Sequence, residues 1–134
     1  VMVVRGDGIY NFNGRRFKVE TIDRPVDLVL NQPEGVLLLD ADKLTFPFVC
    51  RKWRQGDWLV PFGMRGKKKG SDMFADLKYD VLSKDAAIIV VDIQTPDLAE
   101  QQHVSALLGV RIDDSYKVTS ETKHLLYLTD LSLI

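Results

Sequence analysis

The step Asn13-Gly14 separates two short runs, Gly8–Phe12 and Arg15–Ile22, and in the second run Phe17, Val19 and Thr21 alternate with polar residues. Asn-Gly accepts the left-handed backbone of a two-residue turn, and alternation with period two turns one face of a strand inward. This stretch is therefore constrained to an antiparallel hairpin. The chain around it is punctuated in the same way. An apolar run, Val1–Val4, ends at the turn signal Gly6-Asp7-Gly8, and Asp23-Arg24-Pro25 and Asn31-Gln32-Pro33-Glu34-Gly35 are further breaks. Val36–Leu39 and Phe46–Trp53 read as buried strands, with Pro47 near the start of the second, where a missing N–H does least harm.

The middle of the chain changes character. Gln55-Gly56-Asp57, Pro61–Gly66 and the lysine run ending at Gly70 are turn-rich. Ser71 then reads as the N-cap of a short helix with Asp72 in its first turn, and Met73, Phe74 and Leu77 on one side facing a sheet. Ser83 starts a second helical turn that leads into Ala86–Val91, the clearest buried strand. Thr95–Gln102 reads as an exposed loop or single helical turn. Val104–Leu108, Val110–Ile112 and Leu125–Leu128 read as later strands, with Asp113-Asp114-Ser115 as a turn. With no repeat or composition break, residues 1–134 read as one α+β domain, dominated by antiparallel strands and carrying one or two short helices.

Composition excludes several classes. Of the 134 residues, 46% are apolar and 28% charged, which argues against disorder. The longest aliphatic run, Ala86–Val91, is far short of the roughly 20 residues a membrane-spanning helix needs. No basic stretch followed by an apolar one reads as a secretory leader. A single cysteine, Cys50, allows no internal disulfide, and no CxxC or HxxxH pair points to zinc. A cytoplasmic protein with no membrane partner is the expectation.

The net charge of −1 conceals a segregation. Seven of the 18 basic residues, Arg51, Lys52, Arg54, Arg65, Lys67, Lys68 and Lys69, fall between positions 51 and 69, with Asp57 as the only acid. That segment carries +6 and the rest of the chain −7. Trp53, Trp58 and Phe62 interleave with these cations. Cations can contact phosphates, and aromatic or guanidinium planes can stack on exposed bases. The lysines also run into a helix N-terminus, where free N–H groups favour an anion. The competing reading is a solvated loop over a core of aromatics, and each tryptophan fits core better than a stacking platform.

Other chemistry finds no support. A P-loop needs a lysine directly after its second glycine, whereas Gly70 is followed by Ser71; Gly6-Asp7-Gly8 lacks the third glycine of a dinucleotide fold. There is no GxSxG elbow, His103 and His124 stand in unrelated contexts, and Cys50 lies in an apolar strand. No catalytic residue, no metal and no cofactor is assigned to this chain.

The segment as a whole resembles the C-terminal domain of bacterial tRNA(Ile)-lysidine synthases. That family's pattern is approximately R-x-x-x-G-D-x-x-x-P-x-G-M-x-G-x-K-K-x-x-S-D-x-F. Gly56, Asp57, Pro61, Gly63, Met64, Gly66, Lys68, Lys69, Ser71, Asp72 and Phe74 match it, with one residue fewer before Ser71. Ile88–Val91, residues 108–114 and Lys117-Val118-Thr119 look like the remaining blocks, so the resemblance covers about 47–129 and leaves 1–46 as a hairpin-rich lead-in.

The resemblance implies a sandwich-like fold similar to a domain of the phenylalanyl-tRNA synthetase β subunit. It also implies a parent enzyme that uses ATP, with Mg, to attach lysine to the wobble cytidine of a CAU-anticodon tRNA(Ile), forming lysidine. That chemistry belongs to an N-terminal PP-loop domain with an S-G-G-x-D-S motif, and this chain has no Gly-Gly step. The chain is accordingly expected to be a non-catalytic C-terminal domain, excised from its enzyme, that engages the tRNA acceptor stem.

In that reading Arg51, Arg54, Arg65, Lys67, Lys68 and Lys69 contact RNA. Gly56, Asp57, Pro61, Gly63, Gly66, Gly70 and Ser71 shape the loop. The expected partners are the tRNA(Ile) acceptor stem, the catalytic domain and a second copy in a homodimer. The alternative from another class is a structural domain for dimerisation or interdomain packing, with no direct RNA contact.

Overall fold

The computed structural model describes residues 1–94 and 102–133. Of the stretch expected as a loop, Thr95–Gln102, all but Gln102 lies outside the described residues. Among the described residues, eleven strands run in the order β1 (Met2–Val4), β2 (Gly8–Phe12), β3 (Arg15–Asp23), β4 (Val36–Asp40), β5 (Phe48–Lys52), β6 (Trp58–Leu59), β7 (Lys68–Lys69), β8 (Ile88–Val91), β9 (Ala106–Leu107), β10 (Arg111–Ile112) and β11 (His124–Asp130). Two short helices, α1 (Gly70–Asp76) and α2 (Val81–Ala86), lie between β7 and β8.

The strands form a five-stranded sheet, β1-β5-β8-β9-β10, a four-stranded sheet, β2-β3-β11-β4, and the small pair β6-β7. Every strand pairing is antiparallel. The hairpin forms as the Asn-Gly step requires: Phe12 pairs with Arg15, and Asn13 and Gly14 both hold positive φ, 55° and 73°. The four-stranded sheet then closes as β11 pairs with both β3 and β4.

The two larger sheets face each other across one apolar core. Val4, Phe48, Cys50, Ile88 and Val90 come from one sheet, and Phe17, Val19, Leu39, Leu126 and Leu128 from the other. Removing a side chain such as Phe48 or Leu39 from water contributes roughly 1.5–3 kcal/mol. Strand β8 is buried on both sides, which is why Ile88–Val91 reads as a continuous apolar run rather than an alternating one. Its other face, Ile89 and Val91, packs with Leu107, Leu59 and the α1 residues Met73 and Phe74 in a second core. Helix α1 is thus a third layer over the five-stranded sheet.

Several expected boundaries move. Helix α1 begins at Gly70, with Lys69 in the N-cap position and no side-chain cap, so Ser71 lies inside its first turn rather than capping it. The helix is fed directly by strand β7, and the Gly70 N–H is taken by the Asp57 carbonyl at 2.7 Å. Leu77, expected to pack, is 38% exposed at the helix end. Helix α2 starts before Ser83, because Asp80 caps it by accepting the Ser83 N–H at 2.7 Å. The strands expected over Val104–Leu108, Val110–Ile112 and Phe46–Trp53 are shorter, ending in backbone bonds to loops. Asp113-Asp114-Ser115 does turn, as the start of a 3₁₀ turn over Asp114–Tyr116 in which Asp113 accepts the Ser115 N–H.

Candidate nucleic-acid interface

The excursion from β5 to α1 carries the basic segment. It was expected as turns, yet it contains the strand pair β6-β7, in which Trp58 faces Lys69 and Leu59 faces Lys68. Leu59 is buried at its base and ties the pair to the second core.

Its first anchor is electrostatic. The Arg51 guanidinium donates to both Asp57 oxygens, at 2.9 and 2.8 Å, and Asp57 also accepts the Arg54 N–H at 2.8 Å. Both side chains are buried, 6% and 2% exposed. Arg51 therefore sits beneath the excursion, apart from the other basic residues, and Asp57 shapes the turn from inside. Gly56 adopts φ +96° in this turn, and a side chain on it would meet Gln102. Gly70 passes so close to the Trp53 ring that a Cβ there would collide with Nε1. Trp53 in turn packs edge-on to Phe74, centroids 5.3 Å apart.

The second anchor is a seat on residues 112–114. Phe62 N–H donates to the Ile112 carbonyl at 3.1 Å, and Asp114 N–H to the Val60 carbonyl at 2.7 Å. Val60 N–H reaches the Asp113 carboxylate at 2.8 Å, and Gly63 N–H the Asp114 carboxylate at 3.2 Å. Pro61, bridged to Asp113, opens the turn that Gly63 (φ +82°) completes. The Gly63 N–H, and then the Lys117 ammonium, hold the Asp114 carboxyl below its ordinary pKa. Gly66 stands in open space within the loop.

Asp113 is 1% exposed and does more than seat the loop. Its carboxylate also bonds His103 Nε2 at 2.8 Å, and His103 stacks flat on Trp58, centroids 3.9 Å apart and planes within 8°. Lys67 lies over the same Trp58 ring, 4.1 Å from its centroid. The Trp58 indole is thus held between an imidazole and an ammonium, and Lys67 is oriented by a cation–π contact. Both tryptophans are engaged with protein groups, and Phe62, 51% exposed, is the segment's open aromatic ring.

The cations divide into distinct classes. Lys68 is paired with Asp76 of α1. Lys67 is held on Trp58 but remains exposed. The side chains of Arg54, Arg65 and Lys69 are exposed and carry no hydrogen bond or ion pair among the described residues. Sequence reasoning missed His103 and Asp113, which lie far along the chain; the one available signal was that Asp113 falls within a block of the family resemblance, residues 108–114.

No family model matches the chain. The tRNA(Ile)-lysidine synthase of Parabacteroides distasonis is 34% identical over 113 residues, covering 84% of this chain and 23% of that protein. The chain spans about a quarter of the length of the curated relatives it matches, 23% and 22% for two of them. Among solved structures, the TILS C-terminal domain superposes with a TM-score of 0.67 over 89% of this chain and 86% of that one, at 18% identity. An N-terminal fragment of the phenylalanyl-tRNA synthetase β subunit from Pyrococcus horikoshii gives a TM-score of 0.54, covering 69% of this chain and 27% of that one, at 16% identity. These two are likenesses of fold, and they bear out the mostly antiparallel, sandwich-like class with short helices. By sequence the chain is similar to the C-terminal portion of tRNA(Ile)-lysidine synthases, and by fold it is the counterpart of the TILS C-terminal domain.

Proposed function

We propose that this chain is the tRNA-positioning domain of a lysidine-forming ligase and that it grips the acceptor stem of tRNA(Ile). The observation that carries the reading is the exposed cationic rim of Arg54, Arg65, Lys67 and Lys69 on a loop held from beneath by Arg51–Asp57 and from the side by Asp113. An A-form stem presents its phosphates and a shallow minor groove of 2′-hydroxyls, so a rigid cationic loop reads its shape rather than its sequence. The arginines, with planar donor forks, suit base-edge or bidentate phosphate contacts; Lys69 suits a single phosphate.

The adenylation and lysine-transfer chemistry, with ATP, Mg and lysine, is assigned in this reading to the N-terminal catalytic domain that partners the chain. The residues of this chain do not fit such a group. Gly70 opens onto Ser71 rather than a lysine, its N–H is committed to Asp57, and among the described residues no cluster of three metal-ligating side chains occurs.

Replacing Lys67, Lys68 and Lys69 with alanine in the full-length enzyme tests the role of the loop. Weaker tRNA binding and a shallower salt dependence are expected, and unchanged affinity and salt dependence would exclude the loop from RNA contact.

A second reading rests on a different observation. Leu30, 60% exposed, and Phe62 line an open groove of about 380 Å³ that could pack against another domain or a second copy. Sedimentation with and without an acceptor-stem minihelix separates the two, since a salt-insensitive dimer that ignores the minihelix supports only packing.

A further inference from the structure

The cationic rim is not confined to the basic segment. Arg111, on β10, belongs by sequence to the acidic remainder of the chain, yet the fold delivers it to the same surface. Because Phe62 N–H bonds the Ile112 carbonyl and Val60 accepts from Asp114, residues 60–63 run alongside 111–114. Arg111 thereby lies beside Phe62 on one flank and Met64 on the other, lining both the 380 Å³ groove and a smaller notch of about 80 Å³. Its side chain is exposed and has no hydrogen bond or ion pair among the described residues.

The groove has the parts needed to take a base. It runs between β4 and β10, the outer strands of the two sheets, with Leu37 and Val118 among its apolar walls. Phe62 offers an open ring, because both tryptophans are already engaged. Asn31 is exposed at the wall, where an amide can both donate to and accept from a base edge. An aromatic face beside an unpaired arginine is the combination that holds single-stranded nucleotides, the ring stacking on the base and the guanidinium taking the phosphate.

We propose that this groove receives one unpaired nucleotide adjoining the duplex that the basic loop grips, with Phe62 stacking on its base, Asn31 at the base edge and Arg111 on its phosphate. The inference rests on the RNA-binding reading and adds to it a preference for a stem that ends in a single strand.

The test compares two acceptor-stem duplexes of the same sequence, one blunt and one with a short unpaired 3′ extension. Binding is measured with the wild-type protein and with Phe62→Ala, Asn31→Ala and Arg111→Ala. All three sites are exposed, and an unchanged melting temperature verifies that each variant folds. The wild type is expected to bind the extended duplex about 5–150-fold more tightly, as one stacked base contributes about 1–3 kcal/mol. Phe62→Ala should remove most of that gain while leaving the blunt duplex bound as before, and Arg111→Ala should remove most of it while weakening the blunt duplex only by the loss of one rim charge. Equal wild-type affinity for both duplexes, or a gain that survives Phe62→Ala and Arg111→Ala, overturns the inference and leaves the RNA-binding reading standing. Failure of the wild type to bind either duplex overturns both.

Discussion

Arg51 and Asp57 form a two-point ion pair at 2.9 and 2.8 Å with both side chains almost wholly buried, at the root of a loop whose rim cations face solvent. One basic residue is therefore structural so that its neighbours can be held in place. Arg51→Ala leaves the Asp57 carboxylate buried and uncompensated, a destabilisation of about 3–5 kcal/mol. Chemical unfolding should show it, and Arg51→Lys should recover only part, because an ammonium cannot make both bonds.

Gly70→Ala separates helix propensity from packing. In an exposed helix, alanine would stabilise by up to about 1 kcal/mol over glycine. At this position its Cβ meets the Trp53 ring, whose buried Nε1 has no hydrogen-bond partner among the described residues. Overpacking of this kind costs about 1–3 kcal/mol, so the variant should unfold at lower denaturant and shift Trp53 fluorescence.

His124 makes a pH-dependent contribution. The hydrogen bond that His124 Nδ1–H donates to the Asp42 carboxylate, and that carboxylate's charge, raise its pKa above the ordinary 6.5, with Asp23 adding to the effect. Because the folded protein holds this proton more tightly than the unfolded chain, the stabilisation is complete below about pH 6.5 and is lost as pH rises through the raised value. An NMR titration of His124 should give a pKa above 6.5, and Asp42→Asn should lower it.

Cys50 reports on the core between the sheets. Burial pushes its thiol up to about 12, and the side chain is wholly enclosed. A thiol reagent at neutral pH should react only as fast as the protein opens globally, in step with its unfolding rate. Rapid labelling under native conditions would contradict the packing described for β5.

How much of this was legible in the sequence depends on where each signal lies along the chain. Asn13-Gly14 determined its hairpin to the residue, because turn chemistry and alternation are local. Ala86–Val91 announced a strand buried on both faces for the same reason, although Ala86 ends α2 and the strand itself begins at Ile88. The basic segment was visible as charge, but charge alone does not distinguish Arg51, which meets an acid six residues away inside the protein, from Arg54, whose side chain stays on the surface. His103, Asp113 and Arg111 reach the loop from distant parts of the chain, 53 residues away in the case of Asp113 and Val60, through ties to Trp58, Val60 and Phe62, and no local pattern encodes such an approach. The N-cap of α1 moved from Ser71 to Lys69, with the Gly70 N–H held by the Asp57 carbonyl in place of the side-chain cap that the sequence offered.

The most direct test of RNA gripping by the exposed rim is the affinity of the protein for an acceptor-stem duplex across a range of salt. It is measured for the wild type and for a variant with Arg54, Arg65, Lys67 and Lys69 replaced by alanine. Each phosphate that the variant leaves unneutralised should reduce the slope of log affinity against log salt by about one. A steep slope is expected for the wild type and one lower by about three to four for the variant. The fold should be unchanged, because none of these four side chains lies in either core. Equal slopes for the two proteins, or wild-type binding indifferent to salt, would contradict RNA gripping by this rim.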